Sequence, residues 1–244
     1  MKIGAVPYIN AFPLLRYLNR PVLLAPPRKL EELMKQGELD VALLPSFAFL
    51  DNPSTIPLYK VGLLQSQGPV DTVAVFCGAK TPELSQIRTI KYTNESVTSI
   101  SLFKVLLNFI NPSLLQSLKE VQEGADAELV IGDKVLDHPQ VCKVKHDLGQ
   151  LWQKIIGLPF TYALWVASKP VSQDFIDELC FAKKEGLKNL DLIIGEIKAY
   201  SQERMHTYLT KNIIYEILPQ TLEGLKKFRD MCFELKLLNQ KREL

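Results

Sequence analysis

The chain has 244 residues, 47% hydrophobic and 23% charged, which are ordinary globular values. Its 29 basic residues nearly balance 27 acidic ones, and a net charge of +2 excludes the strongly basic character of a nucleic-acid or membrane-surface binder. No apolar run reaches the roughly 18 residues of a membrane span, and the opening Met1-Lys2-Ile3-Gly4 reads as strand, not as a secretory leader.

Residues 3–6 read as a short buried strand, followed by a Pro7-Tyr8 turn and a helix opening near Asn10. A side-chain oxygen at a helix start accepts a free backbone N–H, so Asn10 is either a plain cap or a cap that also faces a ligand. The end of a first strand is where α/β proteins bind ligands, and helix starts favour anions. PVLLA (residues 21–25) is a second strand, broken by Pro26-Pro27. Leu30, Leu33 and Met34 then recur at helical spacing, with Gly37 as the closing residue. LDVALL (residues 39–44) is the continuous apolar run of a buried parallel strand, ending at Pro45-Ser46 and a short apolar turn over 47–50. This alternation predicts a parallel sheet with right-handed crossovers.

Residues 59–65 and 70–77 read as two strands about a Gln67-Gly68-Pro69 turn, and 89–92 as another. A helix follows from Ser96, with Ile100, Phe103, Leu106, Leu107 and Ile110 as its apolar stripe. Thr93, Ser96, Thr98 and Ser99 crowd its start, where hydroxyls are favoured as caps. AELVI (residues 127–131) is a buried strand leading directly into Gly132-Asp133. His146-Asp147 opens the helix LGQLWQKIIG, and FTYALWVA (residues 160–167) is a long aromatic strand. From Val171 the chain reads as helical, with Phe175, Ile176, Leu179 and Cys180 on one face and Leu225, Phe228, Met231, Cys232 and Leu235 on another. The strands at 70–77 and 160–167 bracket a self-contained α/β segment. The expected organisation is a discontinuous first lobe, 1–87 plus 169–244, with a second lobe, 88–168, inserted in it. A cleft between two such lobes is a preferred place for a ligand.

The chemistry on offer is neutral. Cys77, Cys142, Cys180 and Cys232 are far apart without a CxxC pair, which reads as free thiols in a reducing, cytoplasmic compartment. His138, His146 and His206 lack metal-ligand spacing, so no metal is expected; GxGxxG and P-loop signatures are absent, so no nucleotide cofactor is expected either. There is no GxSxG elbow. Small polar residues recur instead at strand ends: Asn10, Ser46, Thr72, the Ser96-Thr98-Ser99 group and Asp133. A cleft lined this way offers hydroxyls and N–H groups to a small carboxylate. The residues alone lead to a two-lobed binder or enzyme for a small anion.

VPYIN (residues 6–10), ALLPS (42–46), GPVDTV (68–73), ESVTSISL (95–102), AELVIGD (127–133), DLGQLW (147–152), GLPFTYALW (157–165) and YLTKNIIYEI (208–217) occur in that order. Together, and over nearly the whole chain, they resemble the MqnA branch of the MqnA/MqnD family, the chorismate dehydratases of the futalosine route to menaquinone. The resemblance implies an α/β, two-lobed periplasmic-binding-protein-like (type II) fold with a central cleft. It also implies a lyase that converts chorismate to 3-[(1-carboxyvinyl)oxy]benzoate and water without a cofactor. Family functional positions fall on Asn10, Ser46 and Thr72, where the family usually has Ser, and the family's SRTS helix start falls on residues 96–99. On this reading Asn10 and Thr72 are catalytic, while Ser46, Ser96, Thr98, Ser99, Gly132 and Asp133 hold a small dicarboxylate. No nucleic acid or membrane partner is expected, and oligomeric state has no sequence signal. Val97 and Asp71 depart from family arginines, with Arg16, Arg28 and Arg88 as candidates to replace the lost charge. Two other readings share the fold: a non-enzymatic carboxylate sensor, and the sister dihydroxynaphthoate synthase with His146 as its base, a residue that otherwise reads as a surface His ahead of an Asp-capped helix.

Overall fold

The computed structural model describes residues 1–137 and 143–244, so His138 and Cys142 lie outside the described residues. β1 (Ile3–Ala5) is flanked in parallel by β2 (Val22–Leu24) and β3 (Val41–Pro45), with α1 (Phe12–Leu15) and α2 (Pro27–Lys35) in the crossovers. Every residue of β3 is buried, as its unbroken apolar run requires. The apolar stretch after it is a short helix, α3 (Ser46–Asp51), where the sequence reading expected a turn. β4 (Ile56–Pro57) and β5 (Leu63–Ser66) complete this part of the chain.

A second sheet follows. It comprises β6 (Val73–Gly78), β7 (Thr89–Lys91), β8 (Lys119–Glu120), β9 (Ala127–Ile131) and β10 (Lys143–Asp147), in the order β10-β6-β9-β7-β8. Between them run α4 (Val97–Ile110), α5 (Pro112–Ser117) and α6 (Lys134–Asp137). Phe103, Leu106 and Leu107 of the expected α4 stripe are fully buried, whereas Ile110 emerges at the helix end. α7 (Leu148–Ile156) is capped by Asp147, which accepts from Gln150 N at 3.0 Å, and ends on left-handed Gly157. β11 (Phe160–Ala167) then rejoins the first sheet, antiparallel to β3, β4 and β5. α8 (Gln173–Lys188), α9 (Leu190–Glu196), α10 (Gln202–Thr207), a π turn over Tyr208–Asn212 and α11 (Thr221–Glu234) finish the chain.

Two strands join a different sheet from the one their place in the expected lobes suggests. β6, placed by sequence in the first lobe, pairs along its length with β9 and β10. β11, placed in the second, covers β3 through residues 163–167. The chain therefore crosses between sheets at residues 67–72 and again between β10 and β11, and the Gln67-Gly68-Pro69 turn joins two sheets instead of closing a hairpin. The capping expectation for Asn10 is also corrected. It lies inside a 3-10 turn, Ile9–Ala11, and α1 begins without a side-chain cap. Pro13 in its first turn has no N–H to satisfy, which lessens the need for one.

The main core runs through both sheets, and Ala74, Phe76 and Val135 form a small cluster apart from it. Trp152 of α7, Phe160 of β11 and Phe228 of α11 stack edge-to-face with centroids 4.9–6.1 Å apart, pinning the second crossing to the C-terminal helices. Gly186 of α8 sits so close to α1 that a Cβ there would lie 1.8 Å from the Pro13 carbonyl oxygen. Among the described residues, no helix is long and apolar enough to cross a membrane.

Candidate functional site

A cavity of about 60 Å³ opens where the two sheets face each other. Its wall combines the turn after β1 (Tyr8, Asn10), the end of β3 (Pro45), the first crossing (Val70, Thr72), the start of α4 (Ser96, Thr98, Ser99), the end of β9 (Ile131, Gly132) and β11 (Tyr162, Ala163). Among the described residues, no lysine, arginine, histidine, aspartate or glutamate lines it.

Asn10 is 9% exposed, and its Oδ1 is buried without a hydrogen-bond partner. Such an acceptor costs about 1–3 kcal/mol unless something donates to it, and the residue carrying this one lines the cavity. The Ser46 hydroxyl, fully buried one residue behind Pro45, is likewise unpartnered. Thr72 Oγ1 lies 3.0 Å from the Tyr208 hydroxyl, and its carbonyl accepts from Gly132 N at 2.8 Å. At the start of α4, Ser96 Oγ accepts from Ser99 N at 3.2 Å, and Thr98 Oγ1 accepts from Phe47 N at 3.0 Å. The second bond ties the beginnings of α3 and α4 together. The first turn of α4 thus turns its positive dipole end and hydroxyls to the cavity.

Gly132 is in the left-handed region (φ +68), and a Cβ there would lie 2.7 Å from the Tyr8 ring. Only glycine lets that ring pack onto the backbone. Tyr8 in turn donates to Glu95 at 2.8 Å, and Lys134 pairs with the same carboxylate. Burial opposes the Glu95 charge, but Lys134 and the Tyr8 hydroxyl outweigh it and hold the carboxyl below its usual range. Asp133 does not line the cavity. Its carboxylate accepts from Ile9 N at 3.2 Å and so fixes the turn carrying Asn10; burial pushes its pKa up to about 6, against the pull of that N–H.

Of the expected site residues, the structure brings Asn10, Thr72, Ser96, Thr98, Ser99 and Gly132 to one cavity, with Ser46 and Asp133 behind its wall. The two departures from the family pattern are accounted for in space. Asp71 is paired with Lys145 at 2.9 Å and Asn212 at 2.7 Å, while Val97 lines a neighbouring hollow together with Arg28 and Lys104. Arg16 pairs with Glu196 on the surface at 3.1 Å, and Arg88 is exposed, so neither reaches the cavity. His146 lies in β10 with its ring 2.7 Å from the Pro82 carbonyl and is not part of the wall. Three tyrosines went unnoticed in sequence: Tyr8 and Tyr162 on the wall, and Tyr208 behind Thr72.

A family model described as menaquinone biosynthesis matches residues 1–234. A chorismate dehydratase of Thermus thermophilus is 28% identical over 217 residues, 77% of this chain and 78% of that protein. The crystal structure of protein AF1704 from Archaeoglobus fulgidus has a TM-score of 0.74 at 15% identity, covering 97% of this chain and 98% of that one. The aliphatic sulphonate binding protein SsuA of Escherichia coli gives 0.67 at 11% identity, over 99% of this chain and 94% of that one. A Candida albicans protein described as having the generic periplasmic binding protein fold gives 0.67 at 16%, over 99% and 91%. These likenesses show a periplasmic-binding-protein-like fold of two α/β lobes. With a family match running from the first residue to the end of α11, the chain belongs to the menaquinone-biosynthesis family.

Proposed function

We propose that this chain is a cytoplasmic hydro-lyase that dehydrates chorismate to 3-[(1-carboxyvinyl)oxy]benzoate. The observation that carries the reading is the buried, unpartnered Asn10 Oδ1 in the same cavity wall as the Thr72 hydroxyl, close to the start of α4. The curated Thermus relative, a chorismate dehydratase, supports it, and the free thiols Cys77, Cys180 and Cys232 fit a reducing compartment.

In the reaction, the carbon bearing the enolpyruvyl ether loses its proton, and the bond from the neighbouring carbon to its hydroxyl breaks. The electron pair completes the aromatic ring; proton and hydroxide depart as water. Aromatisation supplies the driving force, so the protein's task is orientation and charge stabilisation. Asn10 and Thr72 contact the reacting face. Ser96, Thr98 and Ser99 receive a carboxylate at the helix start, Gly132 shapes the wall, and Ser46 and Asp133 support it from behind. The described residues of the wall carry no carboxylate, imidazole or amine, and this reading assigns the base to the substrate's own enolpyruvyl carboxylate.

The test is to mix the purified chain with chorismate and follow formation of the aromatic product. Asn10→Ala should lower kcat on the order of 100-fold, as loss of a polar group at a reacting centre does, with an unchanged melting temperature. Near-normal turnover by that variant would remove Asn10 from the chemistry. Tight binding of chorismate without turnover would make the protein a sensor.

A further inference from the structure

The C-terminal helices return to the cavity at one point. After α10 the backbone widens into the π turn, in which Ile213 N reaches back to the Tyr208 carbonyl at 3.1 Å. Such turns are rare and frequent at functional sites. This one directs two side chains at the first crossing between the sheets. Asn212 Nδ2 donates to Asp71 Oδ2 at 2.7 Å, and the Tyr208 hydroxyl lies 3.0 Å from Thr72 Oγ1. Asp71 is itself in the left-handed region (φ +66), which residues other than glycine seldom adopt, and Lys145 holds its other oxygen at 2.9 Å. Tyr208 is 1% exposed, and the Asn10 amide is a hydrogen-bond neighbour of the same phenol.

Burial raises the Tyr208 phenol above its ordinary pKa, so it stays neutral and keeps a proton to donate. The two oxygens share one hydrogen bond at 3.0 Å, and a phenol that retains its proton can give it to the threonine oxygen. We propose that Tyr208 is a positioning residue whose phenol fixes the direction of the Thr72 hydroxyl, aiming the Thr72 proton into the cavity. Asn10 Oδ1 is then the matching acceptor. A substrate alcohol finds a donor for its oxygen at Thr72 and an acceptor for its hydrogen at Asn10. This assignment rests on the dehydratase reading, in which that alcohol is the leaving hydroxyl.

The experiment is steady-state turnover of chorismate by the full chain and by Tyr208→Phe, Thr72→Val, their double variant and Thr72→Ser, with a melting curve for each. Tyr208→Phe should lose about tenfold in kcat, the equivalent of one hydrogen bond, with KM little changed. Thr72→Val should lose more, and adding Tyr208→Phe to it should cost nothing further. Thr72→Ser, which leaves Tyr208 in place and keeps the hydroxyl, should stay close to the parent. Full kcat in Tyr208→Phe, or the same tenfold loss in the Thr72→Val background, would overturn the proposal. So would a Thr72→Ser chain as slow as Thr72→Val, whatever the fold of the tyrosine variant. A parent chain that leaves chorismate unchanged would instead sink the dehydratase reading, and this proposal with it.

Discussion

An amide oxygen shut away from water with nothing to accept is the residue that most clearly points beyond packing. Asn10 was legible in sequence as a polar residue after a first strand, although the reason offered, helix capping, is not the one the structure gives. A local pattern shows a side chain that can accept; it does not show whether the chain's own backbone supplies the donor. Asp133 makes the reverse case. It followed a buried strand and so read as a substrate contact, yet its carboxylate is spent on Ile9 N. Its burial sets a pH dependence. Ordinarily ionising near 3.8, it ionises at about 6 in the folded chain, so the folded state binds the extra proton between those values. Its contribution to stability is complete below about pH 3.8 and is lost as the pH rises through about 6. Asp133→Asn keeps an oxygen for Ile9 N and cannot ionise. It should melt higher than the parent above pH 6 and alike near pH 4, as thermal unfolding across that range will show.

Single elements were largely visible because burial writes a period into sequence. The unbroken apolar run of β3 and the stripe of α4 both carried their meaning locally. What did not show was which sheet β6 and β11 would join, for both are mostly apolar and their pairing partners lie far away in the chain. Helix-on-helix distance was equally hidden. α8 approaches α1 through Gly186, where the Pro13 carbonyl leaves no space for a methyl group. Gly186→Ala should therefore destabilise the chain by about 1–3 kcal/mol, the usual cost of overpacking, despite alanine's better helix propensity. Urea denaturation measures the difference. Because α1 directly follows the turn bearing Asn10, the same variant should also slow turnover.

At the scale of the molecule, polar ties around the cavity add to the shared apolar core in joining the two lobes. Tyr8 reaches Glu95, Ile9 N reaches Asp133, and Phe47 N reaches Thr98, each joining a residue of the first sheet's side to one of the second's. Gly132 lets the faces meet. Gly132→Ala places a methyl group against the Tyr8 ring in backbone that costs an L-residue about 1–2 kcal/mol. The variant should melt lower and show a raised KM for chorismate, both readable from one preparation. The two-lobed plan was legible in sequence because the chain leaves one α/β pattern, builds another and returns; the cross-lobe ties were not, since none follows from spacing. Thr72 stands at the joint between the sheets, its carbonyl bound to Gly132 on one side and its hydroxyl to Tyr208 on the other. The residue that links the sheets is thus also one that lines the cavity, so any shift of the crossing is felt at once in the cavity wall.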